Sequence, residues 1–346
     1  MEKRRVIQWT TGKVGKLSMR AILDDPSLEL VGVYAHSPDK VGVDAGPLCG
    51  RPDTGIVATD DIDALLALKA DTVLYTPFMA DLGDAIRLLE TGHDVISTNL
   101  FLNVGGIQGD VRDQLEAAGR RGNASLYITG VNPGWINSVA AAVTAVCRDV
   151  RSVSIVESAH CANYESPETW TTMGMGMKEA TPEVIESARN WLVIFRDAVV
   201  RVADGLDLKL DDLEFDVEWA TAAHKIDLGW FCMEKDTHAA VRAYWNGKVA
   251  GRTVVQSRIT WYLTKDLNEG WEIDDDHYHL VVEGEPGVDV RVRFKAPQHW
   301  GNHEWDIMTA LPAVNAVHQV KAARAGVLGV RDVGLPYAPV GRWLGQ

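Results

Sequence analysis

Features that mark several common protein classes are scarce or missing in this sequence. The chain has four cysteines in 346 residues, and no two of them form a CxxC pair. This spacing predicts reduced thiols in a cytoplasmic protein and argues against a disulfide framework or a zinc site. The longest apolar run, residues 139–146 (VAAAVTAV), is far shorter than the roughly 20 residues that cross a bilayer. The basic start MEKRRVIQW leads into a strand pattern instead of the apolar core of a signal peptide.

Positive charge is also in the minority. Lys and Arg number 34 against 48 Asp and Glu, which gives a formal net charge of −14. Nucleic acids and anionic membranes would be repelled by such a surface, so neither is expected as a partner. We therefore expect a soluble cytoplasmic protein whose partner is a small molecule.

Motifs for nucleophilic and metal chemistry are weak. The sequence has no serine elbow and no Cys–His nucleophile pattern, and GKVGKLS lacks the Walker spacing. HYH (His277, His279) and HWGNH (His299, His303) bring imidazoles close together along the chain. Neither pair has a third ligand at a recognisable distance, so no functional metal is expected.

The N-terminal part of the chain alternates short apolar runs with helical stretches. The apolar runs are VIQW, LELVGVYA, TVLYT, DVIST and SLYITG. Strands separated by helices form βαβ units and a mostly parallel sheet, which predicts the doubly wound Rossmann arrangement. After VNPGW the strands alternate apolar and polar residues, which is typical of an antiparallel sheet with one solvated face.

The predicted fold is therefore α/β, a Rossmann domain followed by an α+β domain built on an open, largely antiparallel sheet. The expected boundaries are 1–135 for the dinucleotide-binding domain and 136–305 for the substrate and dimerisation domain. Residues 306–346 are expected to form a C-terminal helix and tail that return to the first domain.

Residues 6–15, VIQWTTGKVG, have the strand–turn–helix context of a nucleotide-binding loop. Gly12 and Gly15 hold the second and third positions of G-x-G-x-x-G, and the N–H groups near Lys13 and Val14 would face the phosphates. Thr10 replaces the first glycine. It can take that position in an ordinary backbone conformation, and its hydroxyl would add a phosphate contact. The alternative is a turn that merely resembles a nucleotide loop.

The end of the second predicted strand suggests which nucleotide is bound. An NAD site usually has an acid here for the ribose hydroxyl, but this chain has His36 and Ser37, with Lys40 close behind. Asp39 follows a proline and is expected to turn away. Imidazole, hydroxyl and ammonium donors suit the 2′-phosphate of NADP(H), which we favour over NAD(H). The alternative is an ordinary polar loop.

Two further polar segments follow predicted strands. Thr76 and Pro77 of LYTPF end one strand, and Thr98 and Asn99 of ISTNLF end the next. Ligands of open α/β sheets lie outside the carboxyl ends of the strands. We therefore expect the first pair beside the cofactor and the second pair near its nicotinamide.

Several of these segments together resemble a known family. VIQWTTGKVG, LVGVYAHSPDKVGVDAGPLCG, DVISTN, GVNPGW and MTALPAVNAV are similar to the dihydrodipicolinate-reductase-like NAD(P)H-dependent proteins. The nearer branch is that of 2,4-diaminopentanoate dehydrogenase and the native amine dehydrogenases. The resemblance covers nearly the whole chain and is strongest over residues 5–135. It implies a Rossmann domain, an α+β domain that forms a homodimer, and hydride transfer between NAD(P)H and a carbon bound to nitrogen.

The chain departs from this family at positions that matter. Many relatives have glycine where Thr10 stands. The amine dehydrogenases carry a glutamate after the strand DVIST that handles ammonia, whereas this chain reads Asn99, Leu100, Phe101. Because an amide cannot act as a general base near neutral pH, the resemblance does not carry over free-ammonia chemistry.

The second domain also departs from the reductases. Dihydrodipicolinate reductases have a His-His and lysine cluster, for which this chain has VESAHCANYESPETW. Glu157 and His160 match in outline, but Asn163 lies near the expected lysine, so that substrate is not carried over.

Candidate catalytic residues follow from the need to move a proton at the substrate heteroatom. His160 is a candidate because histidine as a residue type can give or take a proton near neutral pH, and Tyr164 could donate a proton or orient a carbonyl or imine. Asn99 is a candidate for hydrogen bonding to the substrate or the nicotinamide amide. For His160 the alternative is a satisfied structural histidine at a strand end, and for Tyr164 a packed ring.

Residues of the substrate pocket are predicted as well. Trp135 resembles a family position at the pocket wall, and Asn163 and Trp170 are assigned to the same pocket.

The sequence thus predicts an NADP(H)-dependent oxidoreductase acting on a C=N, C=O or activated C=C bond of a fairly hydrophobic small molecule. Imine, amine or carbonyl substrates are favoured. The alternative is a catalytically silent NADP-binding sensor or assembly protein, which the missing glutamate keeps open.

Overall fold

The computed structural model describes residues 3–100, 110–274, 277–301 and 304–338. Its strands, in chain order, are β1 (Arg4–Trp9), β2 (Leu28–Tyr34), β3 (Ala58–Thr59), β4 (Thr72–Tyr75), β5 (Asp94–Ser97), β6 (Ser125–Ile128), β7 (Asp149–His160), β8 (Asp212–Thr221), β9 (Ile226–Asp227), β10 (Cys232–Met233), β11 (His238–Val249), β12 (Arg252–Tyr262), β13 (His277–Glu285), β14 (Val288–Val292) and β15 (Gly326–Val327).

The α-helices, in the same order, are α1 (Lys13–Leu23), α2 (Ala45–Cys49), α3 (Ile62–Ala67), α4 (Leu82–Glu90), α5 (Asp110–Gly122), α6 (Ile136–Ala142), α7 (Pro167–Thr172), α8 (Pro182–Trp191), α9 (Ile194–Gly205), α10 (Ile307–Asn315), α11 (Val317–Ala322) and α12 (Val330–Val333). Among the described residues, no helix has both the length and the apolar character that crossing a membrane requires.

The chain forms two compact units. The first consists of Met1–Ser138 with Gln298–Gln346, and the second of Val139–Pro297. In the first unit a seven-stranded sheet has the order β15-β6-β5-β4-β1-β2-β3, and every described pair in it is parallel. The chain leaves β1 for β2 on one side and reaches β4 on the other, which is the reversal point of a Rossmann sheet. The predicted doubly wound fold is confirmed.

The core of the first unit lies between this sheet and its helices. Val6, Ile7 and Trp9 of β1 are at most 1% exposed, and Met19 and Ile22 of α1 pack onto the sheet. Each such side chain stabilises the unit by roughly 1.5–3 kcal/mol through burial. The C-terminal helices contribute five buried residues to the same core: Ala313, Val314, Val317, Val320 and Val333.

The second unit is built on a six-stranded sheet of order β14-β13-β7-β12-β11-β8. Its described pairs are antiparallel except for β7 with β12, which run parallel. Helix α9 covers one face, where Val199 lies against Gly247 and Phe195 against the ring of Trp261. Alternate residues of β11, such as Arg242 and Tyr244, are half-buried on the other face. The predicted α+β domain with an open, largely antiparallel sheet is confirmed.

Candidate functional site

The loop between β1 and α1 has the geometry that a nucleotide-binding turn requires. Gly12 precedes the helix in extended conformation, and a Cβ built on it would have nothing within 4 Å. A Cβ built on Gly15 would lie 2.3 Å from the carbonyl oxygen of Thr10. The second glycine therefore leaves open space in front of the helix, and the third permits close packing of helix on strand. The first N–H groups of α1, at Lys13 and Val14, point out of this helix start, as helix geometry dictates.

The expected backbone conformation of Thr10 was wrong. Its φ is +74°, so its backbone lies in the left-handed region and not in the ordinary one that the sequence analysis assumed. The tight turn after β1 demands this conformation, which is why glycine is usual there. For a residue with a Cβ it costs about 1–2 kcal/mol.

A polar network that the sequence analysis missed lies beneath this turn. Gln8 is fully buried in β1, and its Nε2 donates to the carbonyl oxygens of Trp9 and Thr10, both at 3.1 Å, and to Oγ1 of Thr76 at 2.8 Å. The hydroxyl of Thr76 in turn donates to the carbonyl oxygen of Trp9 at 3.1 Å. A glutamine inside an apolar strand was the available sequence signal.

The residues predicted to select NADP(H) follow β2, the neighbour of β1. Lys40 N donates to the carbonyl oxygen of Ser37 at 2.9 Å, which closes a turn. Ser37 and Lys40 are half-buried, whereas His36 and Asp39 are exposed. Thr10 N donates to the carbonyl oxygen of Tyr34 at 3.0 Å, so this turn begins close to the nucleotide loop.

The ends of β4 and β5 lie at the same edge of the sheet. Thr76 is 7% exposed and tied to β1, while Phe78, two residues on, is 77% exposed. Thr98 N donates to the carbonyl oxygen of Tyr75 at 3.4 Å, which places Thr98 beside the end of β4. Asn99 is half-buried, and its Oδ1 has no hydrogen-bond partner among the described residues. Pro77 follows Thr76 directly, and Phe101 lies outside the described residues.

The segment GVNPGW follows β6 at this edge. Gly134 N donates to Oδ1 of Asn137 at 2.6 Å, and Trp135 N donates to the carbonyl oxygen of Gly130 at 2.8 Å. Trp135 is half-buried. The residues predicted in the first unit therefore follow β1, β2, β4, β5 and β6, all at the carboxyl edge of one parallel sheet.

The predicted catalytic residues of the second unit lie at and after the end of β7. The exposed ring of His160 stacks on Tyr262, with centroids 5.1 Å apart. Tyr164 is 56% exposed, and its backbone is held because its carbonyl oxygen accepts from Nε1 of Trp170 at 2.8 Å. Asn163 is exposed in the same loop. The loop therefore presents His160, Asn163 and Tyr164 to solvent on an anchored backbone.

The side chains of Trp170 and Glu157 are held by packing and hydrogen bonds within the second unit. Trp170 is 2% exposed and packs edge-on against Tyr164 and Trp261. Glu157 accepts from Nε1 of Trp261 and from the hydroxyl of Tyr278, each at 2.8 Å. Burial, and the nearby Glu157, raise the pKa of Tyr278 well above its usual value. Packing thus accounts for the position of Trp170, and its assignment to the pocket stays a prediction.

Neither unit offers a metal centre in its described part. No group of three or more His, Cys, Asp or Glu side chains in those residues could hold a metal ion. Of the histidine pairs in the sequence, His277 and His279 have ring centroids 6.2 Å apart, and His303 lies outside the described residues.

Comparisons with known proteins agree with this fold. The chain is 27% identical over 305 residues to an amine dehydrogenase of Streptomyces virginiae, which covers 83% of this chain and 84% of that protein. It is 34% identical over 117 residues to a 4-hydroxy-tetrahydrodipicolinate reductase of Burkholderia cenocepacia, which covers 32% of this chain and 40% of that protein. No family model matches the chain.

The solved structure of an amine dehydrogenase from Mycobacterium smegmatis has a TM-score of 0.74 with this chain at 17% identity, and 97% of each chain is covered. At that identity the structural likeness concerns the fold alone. The sequence similarities confirm the predicted resemblance to the dihydrodipicolinate-reductase-like proteins and their amine dehydrogenase branch. They also confirm the predicted enzyme class, an NAD(P)H-dependent dehydrogenase or reductase.

Proposed function

We propose that this protein is an NADP(H)-dependent oxidoreductase acting on a C=N, C=O or activated C=C bond of a fairly hydrophobic small molecule. Imine, amine or carbonyl substrates are favoured. The observation that carries the proposal is the loop after β1, where Gly12 leaves open space before the helix and Gly15 admits the Thr10 carbonyl. A dinucleotide pyrophosphate fits this arrangement because helix N–H groups bind phosphate and a side chain at Gly12 would intrude on it. The similarity to an amine dehydrogenase supports the reaction class.

The preference for NADP(H) rests on the turn after β2. His36, Ser37 and Lys40 offer donors for a 2′-phosphate, and that phosphate would be repelled by the acid that NAD sites use. The half-buried position of Lys40 in the turn that follows β2 supports this assignment.

Charge reversal in this turn tests the cofactor preference. In the variant Ser37→Asp/Lys40→Glu, NADPH affinity is expected to fall about 10–100-fold, since a charge-assisted hydrogen bond contributes roughly 1.5–3 kcal/mol. NADH affinity should stay within about 3-fold of its original value, which is roughly 0.7 kcal/mol. Quenching of tryptophan fluorescence during titration with each nucleotide measures both. Lys209→Glu, a charge reversal at an exposed lysine of the second unit, is the control. Unchanged NADPH affinity in the double variant contradicts the assignment.

The chemistry divides between the bound nucleotide and the side chains of this chain. NADPH supplies the hydride when bound. His160 or Tyr164 gives the substrate heteroatom its proton, and Asn99 donates or accepts a hydrogen bond at the substrate or the carboxamide. The exposed side chains of His160 and Tyr164, and the hydrogen bond from Trp170 that holds the backbone of Tyr164, support this role.

Oxidation of NADPH in the presence of substrate panels tests the function. Imines formed from amines and carbonyls, ketones and enones are supplied in turn, and the absorbance of NADPH is followed. We expect turnover with at least one imine or carbonyl compound. Tight NADPH binding without turnover on any panel would instead favour the silent sensor or assembly protein. That alternative remains because Asn99, which cannot act as a general base, stands in the segment where the amine dehydrogenases carry a glutamate.

The proton donors are tested in the same assay. His160→Ala or Tyr164→Phe should lower kcat about 100-fold or more, the usual contribution of a general acid, with little change in NADPH affinity. Tyr337→Phe, an exposed tyrosine of the first unit, serves as the control. If both variants of the second unit keep full activity, the proton comes from another group or from water.

We further propose a cytoplasmic homodimer formed through the second unit. The open face of its sheet carries half-buried polar side chains such as Arg242, Tyr244 and Arg258, and burial lowers the pKa of Arg258. Such a face suits a polar subunit interface. Sedimentation of a single chain at micromolar concentration would contradict the dimer.

A further inference from the structure

The nucleotide loop contains a threonine where the backbone needs a glycine, so another part of the molecule must hold the turn. We propose that Gln8 is a positioning residue that keeps Thr10 in its left-handed conformation and thereby shapes the loop for the cofactor. This inference rests on the proposed nucleotide-binding function. It assigns to Gln8 no contact with the cofactor, because the side chain is fully buried.

The position of Gln8 is unfavourable for the strand itself. It lies between Ile7 and Trp9 in the middle of the sheet, where each neighbour is at most 1% exposed. Its Oε1 is buried without a hydrogen-bond partner among the described residues. A buried unsatisfied polar atom costs about 1–3 kcal/mol. What the glutamine contributes is therefore the set of hydrogen bonds from its Nε2, two of which reach Thr10 and Thr76 beyond the strand.

The Nε2 of Gln8 is directed at the strained turn. It donates to the Thr10 carbonyl oxygen at 3.1 Å and to Thr76 Oγ1 at 2.8 Å. The Thr10 carbonyl oxygen and this donor both lie close to Gly15, where an added Cβ would be 2.3 Å from the oxygen and 3.1 Å from Nε2. Rotation of Thr10 to an ordinary φ would turn this carbonyl away from Nε2. The hydrogen bond therefore favours the left-handed state of Thr10.

Thr76 and Tyr34 fix the two sides of the same turn. Thr76 Oγ1 accepts from Gln8 and donates to the Trp9 carbonyl oxygen at 3.1 Å, which ties the end of β4 to β1. The Tyr34 carbonyl oxygen accepts from Thr10 N at 3.0 Å. With both sides held, the backbone conformation of Thr10 sets the path of the chain through Thr11 into the first turn of α1. The N–H groups proposed to bind phosphate lie in that turn. Gln8 thus acts on the cofactor site through the backbone of Thr10.

Loss of the Gln8 amide should lower cofactor affinity, because the left-handed conformation of Thr10 that the cofactor needs becomes less populated. In Gln8→Met, which is similar in length but cannot donate, Thr10 can relax and release about 1–2 kcal/mol of strain. The apparent Kd rises in inverse proportion to the competent fraction, so NADPH binding should weaken about 10-fold. Glycine accepts positive φ readily. Thr10→Gly in the Gln8→Met background should therefore restore affinity to within about 3-fold of the original, whereas Thr10→Gly alone should change it by less than about 3-fold.

The experiment is a double-mutant cycle of these four proteins, with Kd for NADPH and NADH measured by calorimetric titration and Tm by thermal unfolding. Rescue of Kd by Thr10→Gly supports the proposal, because a general loss of stability would lower Tm without responding to the residue at position 10. Equal Kd in Gln8→Met and the original protein, or additive effects of the two substitutions, overturns it. Gln256→Met, which removes an amide from the second unit, is the control.

The same measurements distinguish failure of the proposed function from failure of the proposed role of Gln8. If the original chain binds neither nucleotide, the proposed function fails and the role of Gln8 fails with it. If the original chain binds but Gln8→Met binds equally well, only the role of Gln8 fails. Should Gln8→Met not fold, Gln8→Asn, whose amide is one methylene shorter, is expected to give the same affinity loss and the same rescue. Absence of that rescue overturns the proposal equally.

Discussion

Alanine in place of Gly15 is expected to abolish measurable binding of NADPH and NADH and to lower the stability of the first unit. The added Cβ would lie 2.3 Å from the Thr10 carbonyl oxygen and 3.1 Å from Nε2 of Gln8. Real Cβ atoms essentially never approach backbone oxygen below 3.0 Å, so α1 or the turn must shift. Overpacking of this kind destabilises a protein by about 1–3 kcal/mol. A displaced helix start also removes the aligned N–H groups, so nucleotide affinity should fall at least about 100-fold, which is roughly 2.7 kcal/mol.

Gly12→Ala separates the loss of nucleotide binding from the loss of stability. Its Cβ would have nothing within 4 Å and its φ is −71°, so the fold should tolerate the methyl group. The methyl group would nevertheless occupy the space proposed for the pyrophosphate, and nucleotide affinity should fall strongly without a change in Tm. Gly119→Ala is the control for instability alone, because its Cβ would approach Ala124 and Gly326, which are not part of the loop. If Gly12→Ala binds NADPH as well as the original chain, the pyrophosphate does not lie at this loop.

The contrast between the two glycines was predictable from the sequence because it follows from local context. The strand VIQW, the turn and the helix after it are contiguous, and the Rossmann rules assign a separate task to each glycine. The doubly wound fold was predictable for the same reason, since apolar runs alternate with helical stretches along the first unit. Residues such as Thr76 and Thr98 could be expected at one edge because they directly follow parallel strands.

Features that depend on distant parts of the chain could not be predicted in this way. The hydrogen bond from Gln8 to Thr76 joins residues 68 positions apart, and it forms only once β1 and β4 are neighbours. The left-handed φ of Thr10 is likewise set by its surroundings, since threonine itself disfavours it. In the second unit, alternation identifies strands but not their order, and it gives no sign that β7 pairs in parallel with β12. The buried carboxyl of Asp197 in α9 was missed because a single acid in a helix is usually exposed.

Asp197→Asn is expected to stabilise the protein at pH 8 and to leave its stability at pH 4 nearly unchanged. Asp197 is 5% exposed, and its Oδ2 has no hydrogen-bond partner in the described part of the chain. Burial raises its pKa to about 7, although the neighbouring Arg196 opposes the shift. Since an unfolded aspartate titrates near 3.9, the folded protein holds this proton between about pH 4 and 7 while the unfolded chain has released it. In this pH range the protonated, neutral carboxyl of Asp197 is the form that the folded protein buries.

Stability therefore depends on pH in a defined direction. The contribution from the protonated carboxyl is complete below the unfolded pKa and is lost progressively as pH rises to about 7, because over this range the unfolded chain gains free energy by ionising while the folded protein keeps its proton. The full difference in pKa corresponds to an upper limit of roughly 4 kcal/mol. Relaxation and water penetration reduce such penalties, so a gain of about 2 kcal/mol for Asp197→Asn at pH 8 is expected, seen as a rise in Tm of roughly 4–8 °C.

The measurement is thermal unfolding of both proteins from pH 4 to pH 8. Asparagine has the shape of the protonated acid but cannot ionise, so the two Tm curves should nearly coincide at pH 4, diverge as the pH rises towards 7 and keep a constant separation above it. Asp204→Asn, an exposed acid of the same helix, makes the same change in net charge and should not reproduce the divergence. Parallel curves for Asp197→Asn and the original chain would mean that the carboxyl of the folded protein is already ionised at pH 4, which contradicts the raised pKa. In that case the loss of its charge should destabilise the protein at every pH in the range, which is the opposite sign.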